Sequence, residues 1–167
     1  MSTTILHDSM LDAGSIVQIV NTQNVSMTTG TTVAPYDDTI PQVSEGISAG
    51  IDLAITPTNS SNILRIQAIV PCAHTTTTSS RTLALFNTDT HATNAIAVAE
   101  QFNEGAASTI LSPVLDYRQV AGTTSSTTFT VRVGSGGAGT MTINGSAGAR
   151  KYGGVLLASM TITEIAV

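Results

Sequence analysis

The clearest regularity in this chain is a two-residue alternation of apolar and polar side chains, repeated in short runs between turn-forming residues. Near its end, Leu156, Ala158, Met160 and Ile162 alternate with Ser159, Thr161 and Thr163, which predicts a strand with one buried and one polar face. Ile51, Leu53 and Ile55 point one way with Asp52 and Thr56 on the other. After the turn 58–62, Leu64, Ile66, Ala68 and Val70 oppose Arg65 and Gln67. These two runs predict a hairpin that stops at Pro71. Phe129, Val131 and Val133 oppose Thr130 and Arg132, and 140–144 predicts a short partner after a glycine turn.

Weaker runs complete the pattern. Residues 15–22 predict a first strand covered on both faces, and 26–32, interrupted by Gly30, an edge strand or bulge. Residues 81–87 predict another strand. So do 92–102, where Ile96, Val98 and Phe102 alternate and no capping sequence precedes a helical stripe. Residues 108–117 predict a strand broken at Pro113. Two prolines and two aspartates make 35–42 a long ordered loop, and the Thr/Ser run 75–80 a solvated one. The count is about nine or ten strands and no helix. The last strand is expected to be central, paired with strands much earlier in the chain.

Composition strengthens the all-β reading. Ser and Thr supply more than a quarter of the 167 residues, charged residues only 10%, and Lys151 is the sole lysine. Thr favours strands, and the Glu and Lys that cover helix exteriors are scarce. The length fits a single domain over 15–167 with its own core, preceded by an extended arm over 1–14. A mean hydropathy of +0.24 with so few charges predicts that part of the surface is an interface. The net charge is −5, and no Lys or Arg precedes Arg65, so a phosphate-neutralising stripe is missing and nucleic acid is not expected as a partner. No membrane-length apolar run and no signal-peptide pattern occurs, so the expectation is a soluble chain made in the cytoplasm, with no membrane partner.

Candidate chemistry is sparse. Cys72 and His74 are too few ligands for zinc, and Cys72 reads as a small buried hydrophobe. The run 134–139 matches the dinucleotide fingerprint literally, but alternation rather than a helix follows it, so it reads as a turn. Asp37 and Asp38 could contribute to a calcium cage, or could accept backbone hydrogen bonds in a turn. No Gly-x-Ser-x-Gly elbow accompanies the Ser, His and Asp residues. Neither an enzyme nor a cofactor is expected.

The segments 17–21, 35–42, 45–46, 53–58 and 83–86, with Lys151, Tyr152, Gly153 and Gly154 running on to 161–165, resemble a group of tailed-bacteriophage virion proteins. That group is similar to small jelly-roll domains of the tumour-necrosis-factor type, which occur as trimeric head decoration proteins and tail-fibre tips. The resemblance spans 16–165 and carries no catalytic residues. It implies a jelly-roll β-sandwich of roughly eight to ten antiparallel strands that forms a homotrimer. The leading expectation is a capsid decoration, or cement, protein on the head surface, bound to the major capsid protein or another virion protein and clamped by the 1–14 arm. The alternative is a receptor-binding fibre tip whose 75–80 and 122–126 loops contact a host glycan. The expected trimer or capsid contacts are His7, Asp8, Tyr36, Asp37, Asp38, Arg150, Lys151 and Tyr152. The last three include two of the six positive charges.

Overall fold

The computed structural model describes residues 12–167, so His7, Asp8 and most of the expected arm lie outside the described residues. Where the alternation is strongest, the backbone is extended. The strands are β1 (Ile16–Asn24), β2 (Thr28–Gly30), β3 (Ile47–Ser48), β4 (Leu53–Ile55), β5 (Ile63–Ile69), β6 (Cys72–His74), β7 (Ser79–Asn87) and β8 (Ala97–Asn103). They continue with β9 (Ile110–Leu111), β10 (Val114–Val120), β11 (Thr127–Gly134), β12 (Met141–Ile143), β13 (Gly145–Ser146), β14 (Ala149–Arg150) and β15 (Ala158–Ile165).

One sheet runs in the order β1, β15, β5, β10. The second runs β3, β11, β7, β8, with β4 also paired to β11. The chain therefore passes from sheet to sheet at β1 to β3, β4 to β5, β5 to β7, β8 to β10, β10 to β11, and on to β15. With every ladder antiparallel, this is a jelly-roll β-sandwich. Beyond the glycine turn 134–139 lies a small sheet in the order β2, β12, β6, β9, in which β12 pairs with β2 and β6, and β9 pairs with β6. β2 is an edge, as Gly30 suggested. Pro113 sits in the break between β9 and β10.

The two sheets face each other across one core. Ile51, Ile55, Leu64, Ile66, Leu83, Leu85, Phe129, Val131, Val133, Met160 and Ile162 pack there with no more than 2% of their surface exposed. Ala158, Met160 and Ile162 take the inward positions that the alternation of the last strand assigns, while Ser159, Thr161 and Thr163 are only partly covered. β15 lies between β1 and β5, so it is central.

The predicted hairpin does not form. β4 pairs with β11, whereas β5 pairs with β15 and β10, so residues 56–62 are a corner between sheets. Alternation defines which face of a strand is buried, but not which strand lies beside it. The apolar faces of the two runs still meet, because Ile55, Leu64 and Ile66 belong to the same core. The 75–80 run also differs from expectation, since Ser79 and Ser80 are buried at the start of β7.

The core assignment leads to a direct test. Met160→Asp places an unpaired carboxylate in the core and is expected to cost at least about 4 kcal/mol or to prevent folding. Thr161→Asp keeps an acceptor for the Asn21 Nδ2 donor, 2.8 Å away, and is expected to cost about 1 kcal/mol or less. Urea unfolding of both variants measures this, and equal damage would place burial on both faces of β15.

Candidate functional site

Residues 31–46 form a strap across the outer face of the β3, β11, β7, β8 sheet. Its ends are tied down by backbone bonds: Ala34 N–H donates to Ser135 O (3.0 Å), Val43 N–H to Thr93 O (2.8 Å), and Ala95 N–H back to Pro41 O (2.9 Å). Arg132, projecting outward from β11, donates through Nε and Nη2 to the carbonyls of Glu45 and Gly46, each at 2.8 Å. Gly46 has φ +63, and a Cβ there would lie 2.6 Å from Val133 O, so the close approach of the strap requires glycine. Beneath it, the outward side chains Thr82, Ala84 and Phe86 of β7 are buried.

Between the strap and β8 runs an open groove. One part, about 340 Å3, lies between residues 37–41 and residues 95–98. The adjoining part, about 240 Å3, lies between Pro35, Tyr36 and Asp37 on one side and Thr82, Val98 and Glu100 on the other. Apolar side chains are exposed along it or beside it on β8: Tyr36 at 75%, Ile40 at 57%, Val98 at 47% and Phe102 at 50%. Asp37, Asp38 and Glu100 supply carboxylates at its rim. Asp37 accepts from the Thr39 hydroxyl and, at 2.9 Å, from the Thr39 N–H, which together hold its carboxyl below the ordinary range. Its turn role is thus visible. No group of three or more His, Cys, Asp or Glu side chains is placed to hold a metal ion among the described residues.

The expected contact residues thus fall into two places. Tyr36, Asp37 and Asp38 line the groove. Arg150, Lys151 and Tyr152 lie on the exposed turn between β14 and β15, and no ion pair joins them to the groove among the described residues. The sequence reading missed Ile40, Val98 and Phe102 as surface residues, although the period-two pattern of 92–102 already put Val98, Glu100 and Phe102 on one face. The two loops of the glycan alternative also separate. The 75–78 bend precedes the first residue of β7, while the 122–126 loop adjoins Asn87 at its last, about 26 Å along the strand.

Two buried ionisable clusters lie away from the groove. Cys72 is a free thiol pushed up to about 12 by burial, against the smaller opposing pull of the Arg81 charge. Burial, and then the same charge, lowers the His74 pKa. The Cys72 thiol therefore stays protonated at neutral pH and is not a nucleophile. Arg81 itself is fully buried without a carboxylate, donating from Nη1 to Ser79 Oγ (2.6 Å) and Ser80 O (3.1 Å) and from Nη2 to Thr109 O (3.4 Å).

Glu164 is the second cluster, on the inward side of β15 and fully buried. Its Oε1 accepts from Thr58 N–H, Thr58 hydroxyl and Asn62 Nδ2, each at 2.8 Å, and its Oε2 from Gln18 Nε2. Burial acts to raise the carboxyl pKa, but the hydrogen bonds from Gln18, Asn62 and Thr58 outweigh it and hold the carboxyl below the ordinary glutamate range. The motif segments 53–58 and 161–165 meet at this carboxylate.

No protein-family model matches the chain, and no curated protein matches it. Among solved structures it is similar to Eiger TNF from S. frugiperda, at 9% identity and a TM-score of 0.45, over 89% of this chain and 93% of that one. The jelly-roll order given above is a property of this chain's own ladders.

A carboxyl whose folded pKa is depressed adds stability above its unfolded pKa, and that stability is lost as pH falls through the folded value. Unfolding free energy is therefore expected to drop as pH falls below the ordinary glutamate pKa and through the lower folded value of Glu164. Glu164→Gln should cost about 2 to 3 kcal/mol at pH 7 and flatten this acid limb, as read from urea midpoints across pH. An unchanged acid limb in the variant would assign the transition to other carboxylates.

Proposed function

We propose that the protein is a structural subunit of a bacteriophage virion, a homotrimer that binds the head shell and stabilises it. The observation that supports this reading best is the open face of the β1, β15, β5, β10 sheet. Across its rows stand Ile19, Thr163, Arg65 and Arg118; then Asn21, Thr161, Gln67 and Asp116; then Gln23, Ser159, Ile69 and Val114. Neutral amides, hydroxyls and exposed aliphatics dominate. On it Arg65 is ion-paired to Asp116 across β5 and β10, with Nε 2.9 Å from Oδ1, and Arg118 adds one further exposed cation on the edge strand. A shallow cavity of about 250 Å3 opens between Gln67, Ile69, Val114, Ser159 and Thr161.

Such a face is only modestly solvated, and a second copy of the same chain would cover its neutral and aliphatic rows with the Arg65–Asp116 pair already formed. The motif resemblance to phage virion proteins supports the same assembly role. A fibre-tip reading is supported by a different feature, a recess of about 310 Å3 near the 122–126 loop in which amide and hydroxyl groups of Asn87, Thr90, Gln119 and Thr127 stand beside the apolar Val120 and Ala121, a mixture that suits a sugar.

Sedimentation at micromolar concentration is expected to give three times the chain mass. Ile69→Lys with Val114→Lys should shift the protein toward monomer while its thermal unfolding as a monomer stays cooperative. A wild-type monomer would sink the trimer. Cryo-electron microscopy of virions locates the protein, with density on the head expected for decoration and at a fibre end for the alternative.

A further inference from the structure

Three of the six positive charges make ion pairs or hydrogen bonds within the chain, and a fourth, Arg118, stands beside one of them on the same sheet face. Arg65 pairs with Asp116, and Arg118 acts on the same carboxylate. Arg132 spends its guanidinium on the strap carbonyls, and Arg81 is buried among carbonyls of its own bend. Arg150 and Lys151 are left exposed, adjacent, and with no side-chain partner among the described residues. Beside them Tyr152 is 74% exposed at φ +49, a backbone region that costs a non-glycine residue about 1 kcal/mol or more. The Arg150 stem folds over Gly154, where a Cβ would lie 2.6 Å from its Cδ.

The acidic side has a matching remainder. Glu45, Asp52, Asp89, Asp116 and Glu164 all accept hydrogen bonds within the fold. Asp12, Asp38, Glu100 and Glu104 accept none among the described residues, and of these Asp38 and Glu100 border the groove between the strap and β8. That groove therefore combines an exposed apolar wall, Ile40 and Val98, with unpaired carboxylates. The turn 150–152 combines an exposed aromatic ring with unpaired cations.

We infer that the 150–152 turn of one copy docks in the strap groove of the next copy, with Tyr152 against Ile40 and Val98, and Arg150 and Lys151 opposite Asp38 and Glu100. The two surfaces differ, so the contact is head-to-tail, the type that closes a ring when its rotation allows. It also answers the charge problem of assembly. Copies with a net charge of −5 repel at long range, and a local pairing of opposite charges offsets that and selects one orientation. The inference rests on the self-assembly reading above and specifies a second contact within it.

The test is a charge-reversal cycle on the full chain, read by sedimentation equilibrium. Arg150→Glu with Lys151→Glu, and separately Asp38→Lys with Glu100→Lys, are each expected to weaken association about tenfold or more. All four changes together should restore it to within a few-fold of wild type. Tyr152→Ala should weaken it without changing its salt dependence. Lys151→Glu alone serves if loss of the Arg150 stem disturbs the turn, and circular dichroism confirms that each variant folds. If the wild type is oligomeric and either pair of reversals leaves the affinity unchanged, or the combination fails to restore it, this contact is wrong while self-assembly stands. A monomeric wild type overturns both.

Discussion

The buried carboxylate of Glu164 is where distant parts of the sandwich are joined. It sits on β15 and takes hydrogen bonds from Gln18 on β1 and from Thr58 and Asn62 in the corner that carries the chain from one sheet to the other. A charge in that position is tolerable only if every donor is in place, since an unpaired buried carboxylate costs several kcal/mol. Correct closure of the last strand and correct folding of the corner are therefore the same event. The partners lie more than 100 residues away in sequence, so the link forms late and locks a register that the apolar pattern alone leaves free to slip.

The second organising device is the strap. Its two prolines, the Asp37 turn and the Arg132 clamp hold an irregular segment flat against the outer sheet, satisfying carbonyls that would otherwise be stranded over β7. The same rigidity leaves an open groove beside β8. The two sheets then differ in character: one carries the strap on its outer face, while the other presents bare amides, hydroxyls and aliphatics. In a protein with so few charges, each ionic group that the fold does not use becomes informative, and the proposed assembly contacts follow from which ones are left over.

Much of the architecture was legible in the residues. Period-two alternation located the core side of β5, β11 and β15, and the scarcity of Glu and Lys excluded exposed helices. Gly30 and Pro113 marked an edge and a break. The hairpin between β4 and β5 was misread because an antiparallel return and a sheet-switching corner have the same local signature, two alternating runs around an Asn- and Ser-rich turn. Ser79 and Ser80 were misplaced for a related reason, as their burial is imposed by neighbours on β8 and by the Arg81 side chain rather than by their own polarity. At the candidate site, Tyr36, Asp37 and Asp38 were foreseen as a group, while the β8 residues opposite them were not, because they join the site only when the strap crosses the sheet.

By itself, the sequence determined that this protein is all-β, which side chains of its strongest strands face inward, and that few charged groups are available to its surface. These properties depend on composition and on neighbours one or two positions apart. Tertiary structure alone decided which strands pair, why Glu164 is buried, where Asp38 and Glu100 face a common groove, and that Arg150 and Lys151 find no side-chain partner among the described residues. Each of those depends on residues brought together across tens of positions to well over a hundred, and period-two patterning carries no information on that scale.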